Sequence, residues 1–353
     1  MAEKIPEMSP SMFIGIEGGI SFGSGQPDLA PPKEVYEVIK NFKSFKYGLI
    51  QGEAPLREAL GKKHNVSPDN VVVTNGASEA LDMVMRSVVK PGEKILLTRP
   101  YYYSYPPMCD FIHAKPVYTD LKDGKIDLDD FQEKVEGAKL ALVNSPANPT
   151  GSVQSTKVLK EIEKITKDSG TVLLFDEVYS ALLYDGEHYT PKDEHVVVVN
   201  SFSKTFSLCG VRVGYMFTEI PMIKRMIEIK THTSMNTNLL AQQMAIESLK
   251  LPSSFIDNQL NIWRERREII YNGLVDLGFD LWKPEGAFYV LPKPPHNIEP
   301  KKLVWNLFNK YNVITYLGEW FGAPDRIRLS YALDVEKIEE GLKLIGKCVE
   351  ELK

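Results

Sequence analysis

The sequence predicts an α/β protein of two domains: a larger one with a mostly parallel sheet between helices, and a smaller one of α+β type. Two observations predict this. From about residue 34 to residue 253, short runs rich in Val, Ile and Leu alternate with amphipathic segments of helical period. Such alternation belongs to parallel sheets that helices cover on both faces. Beyond that region, strand-like runs are punctuated by Gly and Pro and separated by helices, and 353 residues suffice for about two domains of ordinary size.

Taken in order, the first 25 residues are rich in Gly, Pro and Ser and lack periodicity, so they read as an extended arm rather than a packed element. Strand-like runs follow at 71–73, 94–97, 140–143, 171–175, 195–199 and, less regularly, 213–217, with helical patterns at 78–89, 157–168 and 223–230 among them. A long helical stretch, 254–277, leads to segments such as G-A-F-Y-V-L-P-K-P and R-I-R-L-S-Y-A-L, and a last helix covers 335–352. The expected boundaries are 1–33 for the arm and part of the small domain, 34–253 for the large domain and 254–353 for the small C-terminal domain.

Charge and composition narrow the function classes. With a net charge of −5 and a pI of about 5.8, the chain lacks the basic footprint that nucleic acid or an anionic membrane surface attracts. Cys109, Cys209 and Cys348 are odd in number and far apart, which excludes a disulfide framework and fits a reducing cytoplasm. The start of the chain lacks the apolar core of a signal peptide, and no run approaches the roughly 18 apolar residues of a membrane span. The histidines never fall into H-E-x-x-H or a similar pair, so no metal site is expected. Small molecules and protein partners remain.

Five strand-like runs pass directly into polar, Gly-rich or aromatic residues: T-N-G-A-S after 73, T-R-P-Y-Y-Y after 97, N-S-P-A-N-P-T-G after 143, D-E-V-Y after 175 and N-S-F-S-K after 199. In an open α/β sheet, ligands bind outside the carboxyl ends of the strands, so these loops should converge on one crevice. Gly76, Ala77 and Ser78 open a helix whose free N–H groups and dipole suit a phosphate, although from these residues alone plain helix capping by Ser78 is the more ordinary reading. Ser201, Ser203 and Arg212 offer further donors to the same anion. Asp176 ends a buried run, where a carboxylate is costly unless it meets a cation such as a protonated pyridine nitrogen, a salt bridge or a helix terminus. Lys204 stands five residues after the all-Val run; a lysine inside a pocket can form an imine, whereas most lysines are solvated charges. Tyr102 offers a flat face to an aromatic ligand, or is a core aromatic.

At this point the residues resemble a known family. S-F-S-K-T-F-S-L-C-G-V-R-V-G-Y (201–215) looks like the lysine signature of class I aminotransferases, the fold-type I pyridoxal-phosphate enzymes, most like the aspartate and aromatic branch. N-S-P-A-N-P-T-G, D-E-V-Y, T-N-G-A-S-E-A-L, P-Y-Y-Y-S-Y-P, Y-G-L-I-Q-G-E-A-P-L-R and G-S-G-Q-P-D match in the family's order, and the likeness runs from about residue 20 to 345. The resemblance implies a seven-stranded-type large domain that binds pyridoxal 5′-phosphate. It further implies that Lys204 holds the cofactor as an aldimine and shuttles the α-proton. Asp176 would hold the ring nitrogen, Asn148 and Tyr179 the phenolic oxygen, and Tyr102 would stack on the ring. Gly76, Ala77, Ser78, Ser201, Ser203 and Arg212 would hold the phosphate. Tyr47 would reach the phosphate of a partner subunit, making a homodimer with shared sites. Gly25, Asn148 and Arg328 would meet the substrate, with Arg328 clamping its α-carboxylate. Arg326, two residues away, would share a strand face with Arg328 and so competes for that role. Val211 replaces an aromatic residue of the family and would widen the site.

The activity so implied is transfer of the α-amino group from an amino acid, aspartate or an aromatic one, to a 2-oxo acid by ping-pong exchange; another fold-type I reaction, decarboxylation or β-elimination, is the alternative. Arg86 is one cation for a distal carboxylate, or a surface arginine. A dinucleotide-dependent oxidoreductase is not expected, because Gly23-Ser24-Gly25 lacks the third glycine and precedes a Pro-rich stretch. A ligand sensor fused to a DNA-binding module is not expected either, since the matching pattern starts near residue 20 and the charge is wrong for DNA.

Overall fold

The computed structural model describes residues 5–13, 16, 18–219, 221 and 223–353. The chain opens with a short strand, β1 (Ile20–Ser21). Eight strands then build one sheet: β2 (Val71–Thr74), β3 (Lys94–Arg99), β4 (Lys115–Lys122), β5 (Lys125–Ile126), β6 (Ala138–Asn144), β7 (Val172–Asp176), β8 (Val196–Ser201) and β9 (Gly214–Thr218). Their order is β2-β9-β8-β7-β6-β3-β4-β5, and only β9 and β5 run against the rest. Four short strands follow: β10 (Tyr289–Val290), β11 (Val313–Ile314), β12 (Tyr316–Leu317) and β13 (Ile327–Ser330).

The mostly parallel sheet between helices is as expected, with eight strands where the family likeness suggested a seven-stranded type. The two strands outside the six runs read from the sequence are β4 and β5. K-P-V-Y-T-D-L-K lacks an apolar run because β4 lies near the sheet's edge and is only partly covered, so its pattern is not that of a buried parallel strand. The other strands carry side chains to both faces in alternation. Val196 and Val198 join Phe175, Leu173 and Val143 in one core, and Val197 and Val199 join Leu174, Leu142 and Leu97 in the other. That is why the run at 196–199 is all Val: neither face meets water, and each such side chain contributes about 1.5–3 kcal/mol by burial.

A third core lies among the C-terminal elements. The helices Ser253–Asp276, Pro300–Tyr311 and Val335–Leu352 cover the antiparallel strands β10-β13-β12, burying Trp263, Ile270, Leu303, Ile327, Leu329 and Ile345. The N-terminal segment belongs to this core, which corrects the reading of an unpacked arm. Met8, Phe13 and Phe22 are buried, the Phe13 ring meets Phe308 edge-on at 5.2 Å, and β1 pairs in parallel with β11. The buried side chains are spaced without period, so the pattern gave no sign of packing. Residues 1–4, 14, 15 and 17 of that arm lie outside the described residues. Among the described residues, no helix is long and apolar enough to cross a membrane, and no group of three or more His, Cys, Asp or Glu is arranged to hold a metal ion.

Candidate active site

The carboxyl ends of β2, β3, β6, β7 and β8 meet at a cavity of about 340 Å³, a volume suited to a small cofactor and substrate. All five loops singled out from the sequence line it. The N-terminal segment at 23–26 and residues of β10, β12 and β13 close the other side.

Lys204 sits on a one-turn helix, Phe202–Thr205, which begins because Ser201 Oγ accepts the Ser203 N–H at 3.1 Å. Its Nζ donates to the Gly25 carbonyl and lies 3.9 Å from Cys209 Sγ, so Gly25 and Lys204 face one another across the cavity. Ser203 Oγ accepts from Ser201 Oγ at 2.9 Å, and both hydroxyls line the cavity.

The anion site predicted at Gly76, Ala77 and Ser78 has the right shape. The helix Ala77–Val88 carries no side-chain cap, which sets aside capping by Ser78 and leaves first-turn N–H groups facing the cavity. Arg212 stands against this end. Its Nη1 donates to the Cys209 carbonyl at 2.9 Å, and it has no carboxylate partner among the described residues. Gly76 has φ +78°, and a Cβ there would lie 2.3 Å from Arg212 Nη2. Glycine is therefore required for the guanidinium to reach the helix terminus.

Asp176 ends β7 and is 4 % exposed. Its oxygens accept from Tyr105 Oη at 2.7 Å and the Val178 N–H at 3.2 Å, and it has no ion-pair partner among the described residues. Burial pushes its pKa up to about 6 against those two bonds. Tyr179 is buried with its hydroxyl 2.9 Å from that of Tyr289, and burial raises its phenol well above the usual range. Tyr102 lines the cavity edge-on to Tyr105 at 5.4 Å.

Arg328, on β13, is 2 % exposed and unpaired with any carboxylate among the described residues. It donates to Asn148 Oδ1 at 3.1 Å and to the Gly23 carbonyl at 2.6 Å, while its Nε has no partner among the described residues. Tyr289, Tyr316 and Phe321 surround the guanidinium at 4.6–4.9 Å from their ring centroids. A buried cation held by neutral groups alone is what a carboxylate ligand completes. Arg326 does not compete: β13 begins only at Ile327, and Arg326 turns outward to Asp280 at 3.3 Å and over Trp282 at 4.7 Å. The shared strand face expected for the two arginines is thus absent.

Three further residues singled out from the sequence lie away from the cavity of their own chain. Arg86 pairs with Asp82 one helical turn away at 2.7 Å and does not line the cavity. Val211 packs on the core under the sheet and does not widen the site. Tyr47 is 82 % exposed and lies outside the cavity of its own chain. Sequence reasoning missed Tyr105, Tyr289, Asn144, Cys209 and Tyr316, all of which line the cavity. Tyr105 stood inside the quoted P-Y-Y-Y-S-Y-P motif, whereas Tyr289 carried no local signal beyond an aromatic run.

The donor set fits pyridoxal phosphate: a helix terminus and an arginine for the phosphate, a buried carboxylate for the ring nitrogen and a lysine, all lining one cavity. Comparisons with known proteins agree. The profile of the family described as aminotransferase class I and II matches residues 17–345. A probable aspartate aminotransferase of Methanocaldococcus jannaschii is 32% identical, covering 94% of this chain and 93% of the relative. A probable aspartate/prephenate aminotransferase of Aquifex aeolicus is 34% identical over 94% and 91%. The crystal structure of aspartate aminotransferase from Thermotoga maritima superposes with a TM-score of 0.90 at 28% identity, covering 97% of each chain. The chain belongs to the class I and II aminotransferases and is a pyridoxal-phosphate-dependent enzyme of that family.

Proposed function

We propose that this aminotransferase moves the α-amino group of aspartate or of an aromatic amino acid to a 2-oxo acid in two half-reactions, the donor leaving before the acceptor binds. The observation that carries it is the meeting, in one cavity, of Lys204, Asp176 and two arginines without ion-pair partners among the described residues, Arg212 and Arg328. The bound cofactor supplies an aldehyde carbon for capturing amines and an electron-poor ring that takes up the electron pair left by C–H cleavage.

The chain's own residues do the rest. Lys204 would hold the cofactor covalently and would move the proton at the substrate α-carbon. Asp176 keeps the ring nitrogen protonated. Gly76, Ala77, Ser78, Ser201, Ser203 and Arg212 bind the phosphate. Asn148 and Tyr179 meet the phenolic oxygen, and Tyr102 covers the ring. Arg328 takes the α-carboxylate, and its bond to Asn148 couples the two ligand sites. The aspartate part of the proposal rests on the relatives' names, and the aromatic part on the cavity wall of Tyr103, Tyr289 and Tyr316. The third core suggests a small domain of residues 254–353 with the 1–33 segment, beside a large domain of 34–253.

A half-reaction screen tests this. Each amino acid is mixed with the purified holoenzyme, and loss of the imine absorption is followed. Aspartate or an aromatic amino acid should remove it, and a 2-oxo acid should restore it. Loss accompanied by carbon dioxide or ammonia, or no restoration, would point to a decarboxylase or lyase instead.

The same proposal makes the active species a homodimer in which Tyr47 reaches the partner's phosphate. Large apolar side chains left exposed cluster in this stretch: Tyr36, Ile39, Phe45, Tyr47 and Leu49. Such a patch is a mark of an interface. Tyr47→Phe should weaken cofactor binding by about 1–3 kcal/mol, the loss of one hydrogen bond to a charged group. Mixing Lys204→Ala chains with Tyr47→Phe chains gives a hybrid with one site that has both an intact lysine and an intact neighbouring tyrosine. Cofactor affinity should recover at that site. Affinity that follows each chain's own Tyr47, or an active monomer, contradicts the shared site.

A further inference from the structure

Past the last backbone bond between β7 and β8, side chains hold the strand ends together. The two strands pair through Asp176 and Val199, and the Glu177 N–H still reaches the Val199 carbonyl at 3.0 Å. They then part: β8 runs on to Ser201 beside β9, while the chain after β7 turns away. Asn200 bridges the gap. Its Oδ1 accepts the Ser201 N–H at 2.7 Å, and its Nδ2 donates to Glu177 Oε1 at 2.8 Å and to Ser180 Oγ at 3.1 Å. Asn144 repeats the device between β6 and β7. Its Oδ1 accepts the Asn148 N–H at 2.9 Å and its Nδ2 donates to the Asp176 carbonyl at 2.9 Å.

Glu177 is buried, and its second carboxylate oxygen accepts from His188 Nε2 and Thr190 Oγ1, both at 2.7 Å. Burial pushes its carboxyl up, but the bonds from His188 and Thr190 outweigh this and hold it below its ordinary value. His188 stacks on Phe175, so this network lies on the sheet face away from the cavity. A buried charge there is costly, and replacing such a network by apolar side chains is commonly neutral or stabilising. Its use is therefore to be sought in what it holds.

We propose that Glu177 and Asn200 are positioning residues whose hydrogen bond fixes Lys204 relative to Asp176. The inference rests on the roles proposed above for those two residues. Ser201 is where the bond acts: its N–H is held by Asn200, and its hydroxyl caps the turn that carries Lys204. Glu177 in turn adjoins Asp176 in the chain. Slack at this joint changes the separation of the two groups that must address one ligand, and misplacement of about 1 Å costs on the order of 10² in rate.

A reversal of the hydrogen bond tests it. Asn200→Asp keeps the shape but sets two carboxylates against each other. In Asn200→Asp/Glu177→Gln the introduced amide donates to the introduced carboxylate, while its oxygen still accepts from His188 and Thr190. In the Asn200→Asp holoenzyme, kcat should fall about 10²-fold with KM within about threefold. The rate at which borohydride-stable label forms on Lys204, when pyridoxal phosphate is added to cofactor-free protein, should fall in parallel. The double variant should recover both to within about threefold of wild type. If Asn200→Asp lowers only the unfolding temperature, the bond is structural and the proposal is wrong. A folded double variant that fails to recover also overturns it. Should Asn200→Asp not fold, Glu177→Gln alone takes its place in the cycle. Retained activity in Lys204→Ala would instead overturn the assignment of that residue, whatever the cycle shows.

Discussion

Lys204→Ala should fold, bind pyridoxal phosphate without a covalent bond, and lose turnover by at least about 10⁴-fold. The size follows from the two duties that vanish together: covalent capture of the cofactor and proton transfer at the substrate α-carbon, of which general acid–base catalysis alone is worth about 10²–10⁴. Folding should survive because the side chain is only partly buried and its one strong bond is to the Gly25 carbonyl, which the substitution leaves near the cavity and open to water. Phosphate binding should survive too, since Arg212 and the helix terminus at Gly76–Ser78 do not depend on the lysine. Borohydride reduction of the wild-type holoenzyme, followed by peptide mapping, should place a pyridoxyl group on Lys204. A label on another lysine, or ordinary turnover in the alanine variant, removes Lys204 from the chemistry.

How far the sequence reached is best judged by particular residues. The large-domain strands were legible because strands buried on both faces are runs of Val, Ile and Leu, as at 71–73 and 196–199. β4 was not, because a strand near the edge with mixed burial has no such run. Apart from Gly76, the residues predicted to form the cavity on the five loops line it, because strands that run the same way in one sheet bring the loops at their carboxyl ends to one edge. Arg86 read either as a site cation or as a surface arginine, and Val211 was offered to the site, because a helix or turn near it presents several faces and spacing alone does not say which one looks inward. Tyr105 and Tyr289 were missed for a related reason. Each acts through one hydroxyl set by tertiary packing, Tyr105 on Asp176 and Tyr289 on Tyr179, and neither neighbour is close in sequence. The N-terminal segment was misread because Met8, Phe13 and Phe22 fit grooves of other elements rather than a face of their own.

Asp176→Asn should slow α-proton removal by on the order of 10²–10³-fold, the range seen when one preorganised electrostatic partner is removed, while substrate binding changes much less. The carboxylate is what favours a protonated ring nitrogen; an amide offers no charge, so the nitrogen loses its proton and the ring takes up electrons poorly. The fold should tolerate the change. Asn keeps an acceptor for the Val178 N–H, and the Tyr105 hydroxyl can turn to accept from the new amide. Stability without cofactor should in fact improve, and the pH dependence gives the sign. Burial raises the folded-state pKa from 3.8 to about 6, so the native state binds the proton more tightly than the unfolded chain. The associated stability is fully present below about pH 4 and is lost as pH climbs through about 6. Above that, the ionised carboxylate costs roughly 3 kcal/mol, two pKa units at about 1.4 kcal/mol each. Cofactor-free Asp176→Asn should therefore exceed cofactor-free wild type by up to about 3 kcal/mol at pH 8, and match it at pH 4. Pyridoxal phosphate should reverse the order, since only the carboxylate gains a cationic partner from it. Chemical unfolding of both proteins at the two pH values, with and without cofactor, reads all four quantities. Normal turnover in the variant, or a cofactor-free stability difference between variant and wild type that does not grow from pH 4 to pH 8, would show that Asp176 is neither strained by burial nor matched to the ring.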